Sequence, residues 1–437
     1  MIKRIIMKKK IFLLFFLLAG LVWKGNSLAS TIIISRAEAE PFQVSFSLPD
    51  KIKEGQELLQ RSPHLNYITE ETKLYNKFKK VVGKKIEVFR QEIALAVLDT
   101  QTGLVFEKRY WLNAEDIKKG DKIRRYYLEN EENMPRFMPV DPNENFMVTV
   151  NWWNHFNSDL SIATVGSPPE VDSANLPLEN RYVVIVNKFL TNNDNLAYAE
   201  DQTGADYSDI IYTPYSSAIH SLELVGQGKS FLENHVESAF EKLKQLEVPS
   251  RAFPGQLAAE TIPHQFVKNL FLNEQIDPQR IFLSEDGGLK LAERVFVRLG
   301  ANQEKTFRYT FSKTWALGLG QIMPGTYGSI VKAYPSAKLI KDIDIGRVDI
   351  QNAILASILT LDNHLATTFR KMSKVQRAKF EAKLKTNPDF INEVRAAIYN
   401  GGPGKYNPAT ATISLRVRET VDFVRKYKMV RELKLFN

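Results

Sequence analysis

Apolar and polar residues alternate through residues 85–112 on either side of Asp99-Thr100-Gln101-Thr102-Gly103, and this period of two, broken by turn formers, predicts a β-hairpin. Residues 146–153, 182–186 and 210–215 are further strand candidates, separated by stretches rich in Pro, Asn and Asp. Ahead of the hairpin, residues 30–50 read as an extended linker, and residues 52–61 and 70–83 have the composition of helices. The period then changes. Residues 231–246 predict an amphipathic helix, and beyond Pro249 and Pro254 the spacing is helical almost to the end of the chain. The pattern predicts an α+β protein with a β-rich domain over residues 30–250 and an all-α domain over residues 251–437.

The first residues belong to neither. Residues 1–10 are basic, residues 11–23 form the uncharged apolar run IFLLFFLLAGLVW, and the small-residue sequence Ser27-Leu28-Ala29 follows. This order is that of a cleavable secretory signal over residues 1–29, and it predicts export to the periplasm or the cell wall. The apolar run is shorter than the roughly 20 residues that span a bilayer, so membrane contact is expected only through the leader where it is retained.

The 437 residues contain no cysteine, which excludes disulfides, thiolate metal sites, cysteine nucleophiles and a lipoprotein anchor. The net charge of +9 suggests nucleic acid until it is mapped. Six of the basic residues lie in the leader, residues 30–250 hold 24 basic against 33 acidic residues, and residues 251–437 hold 29 against 17. The basicity therefore belongs to the leader and the helical region, and the expected partner is an anionic wall rather than nucleic acid. The tracts at residues 370–385 and 416–434, with seven basic residues each, read as solvated helix faces.

Several motifs fail on spacing. Gly226-Gln227-Gly228-Lys229-Ser230 imitates the end of a phosphate-binding loop, but Glu223 stands where the first glycine belongs, so it reads as a turn. None of the six histidines has another at i+4, so no metal is expected. Ser329 lacks the second glycine of a nucleophile elbow. Trp152-Trp153 and the aromatics of residues 212–215 could stack on sugar rings, although sheet packing explains them as well.

Three segments of the helical region read better together. In the first, Thr261 is a candidate helix cap, Pro263 suits a first turn and Pro278 a stop, while Glu274 lies at i+4 from Leu270 and i+8 from Phe266. A carboxyl carried along an apolar face has its pKa raised, as a general acid requires. The second runs from Ser312 through Gly318-Leu319-Gly320-Gln321-Ile322-Met323-Pro324, where glycines permit close backbone approach and Gln321 can donate and accept. The third, Ala396-Ala397-Ile398-Tyr399-Asn400-Gly401-Gly402, is a helix ended by glycines with Tyr399 and Asn400 at its rim.

In this order the segments resemble the lytic transglycosylases of the goose-type lysozyme superfamily. Ser312, Ala316, Gly318, Leu319, Gln321, Met323, Pro324 and Thr326 match its Ser…GAxGLxQxMPxT segment, and Ala396, Tyr399, Asn400, Gly402 and Gly404 its AxxYNAGxG segment. Asp349-Ile350-Gln351-Asn352 and Glu419-Thr420-Val421-Asp422-Phe423-Val424 resemble two further family segments, and the likeness covers roughly residues 255–430. Trp315 departs from the pattern, standing where the family has glycine.

The resemblance implies a lysozyme-like helical domain that needs no cofactor and acts on peptidoglycan glycan strands. One glutamic acid would protonate the β-1,4 oxygen between N-acetylmuramic acid and N-acetylglucosamine. As a carboxylate it would then take the proton of the muramyl 6-hydroxyl, closing a 1,6-anhydro ring. In the branch resembling membrane-bound lytic transglycosylase B the acid falls at Glu274; in the short-spacing branch it falls at Glu304. Tyr399 would orient it, Gln321, Asn400 and Gly318 would hold the sugar, and Ser312 would line the groove. The alternative is a non-catalytic glycan-binding or scaffold protein of a wall or secretion apparatus.

Overall fold

The computed structural model describes residues 46–123, 134–165, 181–192, 207–309, 312, 314–413 and 417–436. The expected leader and the linker up to residue 45 lie outside the described residues. Helix α1 (Leu48–Arg61), capped by Ser47, is followed by strands β1 (Tyr67–Tyr75), β2 (Val81–Asp99) and β3 (Val105–Asn113), then helix α2 (Ala114–Ile123). Strands β4 (Met138–Pro139), β5 (Phe146–Trp152), β6 (Asp159–Thr164), β7 (Tyr182–Asn192) and β8 (Tyr207–Tyr212) complete this region. The sheet runs β4-β3-β2-β7-β8, with every neighbouring pair antiparallel, and β1 pairs with the first half of β2.

The hairpin expected around residues 99–103 is present as β2 and β3, closed by Gly103 donating to the Asp99 carbonyl at 2.8 Å. In the buried half of β2 the period of two sorts the side chains. Ala94, Ala96 and Leu98 face Ile52 and Leu59 of α1, whereas Ile93, Leu95 and Val97 face Trp153, Leu160 and Ile162. Trp153 and Tyr212 are buried, so at these two positions the aromatic pairs serve packing. Residues 70–83 are not a helix. The side chain of Asn76 accepts from the backbone N–H of Phe78 (2.9 Å) and Lys80 (3.1 Å), a turn that the helix-forming composition on either side conceals, and β1 and β2 pair across it.

Helix α3 (Leu222–Gln245), capped by Ser221, opens the helical region. It is followed by α4 (Ala258–Thr261), α5 (His264–Gln275), α6 (Pro278–Phe282), α7 (Leu289–Asn302), α8 (Pro324–Ala333), α9 (Ile343–Val348), α10 (Ile350–Arg370), α11 (Lys374–Thr386), α12 (Phe390–Gly401) and α13 (Arg418–Glu432). Helix α10 is buried along most of its length, and its apolar side chains share a core with those of α3, α5, α7, α8, α12 and α13. The expected turn at residues 226–230 is instead part of α3. A Cβ on Gly228 would stand 1.8 Å from the Phe296 carbonyl oxygen, so its glycine lets α3 and α7 meet backbone to backbone. Gly228→Ala is expected to lower stability by about 1–3 kcal/mol, read from denaturant unfolding, since α3 must move off α7 to admit the methyl.

Leu224, Val297 and Ala301 of α3 and α7 complete the core on the α1 side of the sheet, and the described residues belong to one compact unit. Helix α3 starts well before residue 250, so the helical region takes in residues 222–245 as well. Among the described residues no helix is long and apolar enough to cross a membrane.

Candidate functional site

Helix α5 forms because Phe266, Val267, Leu270 and Phe271 give it an apolar face that packs into the helical core. Its N-cap is Pro263; Thr261, read from the sequence as the candidate cap, closes α4 instead through its hydroxyl on the Ala258 carbonyl. Glu274 occupies the last turn, after which Ile276 turns extended and Asp277 caps α6. The side chain is half-buried by surface area and has protein around it on nearly every side. Among the described residues no group hydrogen-bonds its carboxyl. Burial is the main cause that pushes its pKa up, to about 8; the Lys426 ammonium pulls the other way and the Glu419 carboxylate adds to the rise. Burial likewise depresses the pKa of Lys426, whose ammonium donates to the Ile276 carbonyl at 2.6 Å.

The neighbouring residue ties this helix end to the glycine segment. Gln275 Nε2 donates to the carbonyls of Leu319 (2.8 Å) and Gly318 (3.3 Å). Residues 317–322 form a tight reversal in which Leu317 and Ile322 exchange backbone hydrogen bonds. Gly318 has φ +70°, and a Cβ there would lie 2.2 Å from the Arg347 carbonyl oxygen; one on Gly320 would lie 2.4 Å from Ser357 Oγ. The glycines therefore serve close packing against α9 and α10, and Gly318 presents its carbonyl rather than open space. Buried Arg347 donates to the carbonyls of Trp315 and Ile322, holding the loop from behind. Trp315, at φ +65°, is 56% exposed.

Tyr399, at the end of α12, donates to the Gly320 carbonyl at 2.6 Å and lies 3.0 Å from Ser357 Oγ. It does not hydrogen-bond Glu274, contrary to the orienting bond expected from the sequence, because its hydroxyl is engaged by the glycine loop. The two groups still interact by charge: burial and then the Glu274 carboxylate push the Tyr399 pKa up. Asn400 Oδ1 accepts from Thr420 Oγ1 at 3.1 Å, which joins the end of α12 to the start of α13. Helix α13 also meets α5, where Asn273 Nδ2 donates to the Phe423 carbonyl. The ends of α5 and α12, the glycine loop and the first turn of α13 thus converge.

Glu304, the other candidate acid, is in an exposed turn after α7, with its carboxyl 2.8 Å from His235 Nε2. Ser312 Oγ accepts from the N–H groups of Thr314 and Ala316, so it braces its own loop. Gln321, at φ +47°, donates to the Gly318 carbonyl at 2.8 Å, leaving its side-chain carbonyl as the acceptor not used in that bond. Gln275, Arg347, Ser357 and Lys426 were not legible as site residues: they act on carbonyls and on charge across elements far apart in sequence. Among the described residues no group of three His, Cys, Asp or Glu side chains could hold a metal ion.

A half-buried acid with a raised pKa, near a loop of constrained carbonyls and two partly exposed polar side chains, can donate a proton to a polar substrate and receive one back. No family model, curated protein or solved structure matches this chain.

Proposed function

We propose that the protein is a peptidoglycan lytic transglycosylase, that its helical region is a lysozyme-like catalytic domain, and that Glu274 is its acid. The observation that carries the reading is the convergence on one carboxyl of the segments in which the resemblance was found. Gln275 bridges to Leu319, Tyr399 to Gly320 and Thr420 to Asn400. Glu304 has no such setting: it is exposed and faces His235.

In the proposed reaction protonated Glu274 gives its proton to the glycosidic oxygen as the muramyl C1–O bond breaks. The muramyl 6-oxygen then bonds to C1 and its proton passes to the Glu274 carboxylate, which restores the acid without attack by water. The loop carbonyls and Asn400 orient the sugar. A digest of purified sacculi should contain 1,6-anhydromuramyl ends by mass spectrometry, and reducing ends alone would sink the reading. One observation favours a second reading, lysozyme-type hydrolysis. Glu419 acts on Glu274 by charge, and hydrolases employ a second carboxylate; those reducing ends would be its product.

The electrostatics predict a pH profile. Glu274 must be protonated at the start of the cycle, so kcat/KM is expected to fall as pH rises through about 8. Glu419→Gln removes a negative charge that favours the protonated form and should move this limb to lower pH. Lys426→Met removes a positive charge that favours the carboxylate and should move it to higher pH. Shifts of the same sign in both variants, or none, would show that the limb belongs to another group.

A further inference from the structure

Residues 68–89 form an arm that projects from the sheet, anchored where Arg90 and Gln91 pair with β3 and Tyr67 packs against Tyr207. All of β1 is exposed, and among the described residues it pairs only with residues 81–91 of β2, from Tyr67 opposite Gln91 to Tyr75 opposite Val81. At the strand rise this two-stranded ribbon extends about 25 Å beyond the sheet. Its distal end gathers apolar side chains in water: Leu74, Tyr75, Phe78, Val81 and Val82 are 44–70% exposed, Phe78 most of all. A group of this kind marks a contact surface.

The charge around it has one sign. Residues 72–86 contain six lysines, Lys73, Lys77, Lys79, Lys80, Lys84 and Lys85, and no Asp or Glu. Lys84 and Lys85 pair with Glu71 and Glu87 nearer the base, so the positive field belongs to the tip. The tip is also preorganised, since Asn76 holds the N–H groups of Phe78 and Lys80, and Asn76 and Lys80 pair through their backbones at 2.9 Å.

Each alternative occupant meets one half of this chemistry. Another β-strand added to the edge of β1 would run against Glu70, Glu71 and Lys73 and against two register shifts, between Ile68 and Thr69 and between Leu74 and Tyr75. An anionic polymer in water would satisfy the lysines and leave Phe78 and the valines wet. An anionic bilayer takes both, the apolar tip entering the headgroup boundary and the lysines lying against phosphates. We infer that the β1–β2 arm docks on an anionic lipid bilayer through Phe78 and its apolar neighbours, with the surrounding lysines supplying the electrostatic attraction. This contact is separate from any made by the apolar run of residues 11–23.

Because the chain lacks cysteine, Phe78→Cys in the full-length protein accepts an environment-sensitive fluorophore at one position on the arm itself. With vesicles of phosphatidylglycerol and phosphatidylcholine its emission should shift to the blue and be quenched by lipid-borne nitroxides. The same dye at Leu283, exposed in the helical region, should not respond. Phosphatidylcholine vesicles alone should give little shift, and so should a soluble anionic polymer without lipid. With the dye instead at Tyr75→Cys, a Val81→Ser/Val82→Ser background should weaken the response to anionic vesicles by roughly tenfold or more, with the thermal transition unchanged because these side chains support no core. No response to anionic vesicles, an equal response to neutral ones, or a response to the polymer alone would overturn the inference.

Discussion

Glu274→Gln is expected to reduce the rate of sacculus digestion by roughly 10²- to 10⁴-fold, the range that a positioned general acid contributes. Glutamine keeps the size of the side chain and removes the proton that the glycosidic oxygen needs. Among the described residues no hydrogen bond ends on the Glu274 carboxyl, so none is lost and the fold should be retained, as circular dichroism will check. Stability at neutral pH should rise, because burial opposes the ionised form that the unfolded chain prefers there. Glu304→Gln should leave the rate unchanged, since it alters only an exposed contact with His235. Full activity in Glu274→Gln would remove the assignment of the acid, and loss in Glu304→Gln alone would move it there. An inactive wild-type protein that still binds sacculi would favour the non-catalytic reading.

Asp362→Ala should have the largest effect on stability, a loss of about 3–5 kcal/mol in denaturant unfolding. Asp362 is buried on α10, where its carboxyl accepts from Ser250 Oγ (2.6 Å), the Arg251 N–H (2.6 Å) and the Tyr334 hydroxyl (2.7 Å). Removing it strands those donors and takes away a negative charge that acts on buried Arg395. The effect belongs to the fold rather than to the reaction, because these groups join residues 250–252 and Tyr334, at the end of α8, to α10. Asp362→Asn, which keeps some acceptors, should cost less. Equal stability of Asp362→Ala and the wild type would mean that water replaces the carboxyl at no cost.

How far the pattern carries depends on the distance over which each feature is set. The hairpin across residues 99–103 and the helix of Glu274 were legible because alternation, turn residues and an apolar face are local. The helix expected over residues 70–83 failed because lysine-rich composition outweighed one turn residue, Asn76, whose side chain reverses the chain. The turn expected at residues 226–230 failed for the opposite reason: glycine read as a local breaker was required by a helix distant in sequence, α7.

Residue types along the chain determined the absence of thiol chemistry, the division into strand-rich and helical stretches, and the segments that carry polar groups beside glycine. Tertiary structure alone decided which of those segments meet. It spent the hydroxyl of Tyr399 on a loop carbonyl and brought Lys426 and Glu419 to act on Glu274, whose apolar helix face was already legible in the sequence. The reason is physical. A propensity or a period is a property of a few neighbouring residues, whereas desolvation and charge coupling depend on everything folded around a group.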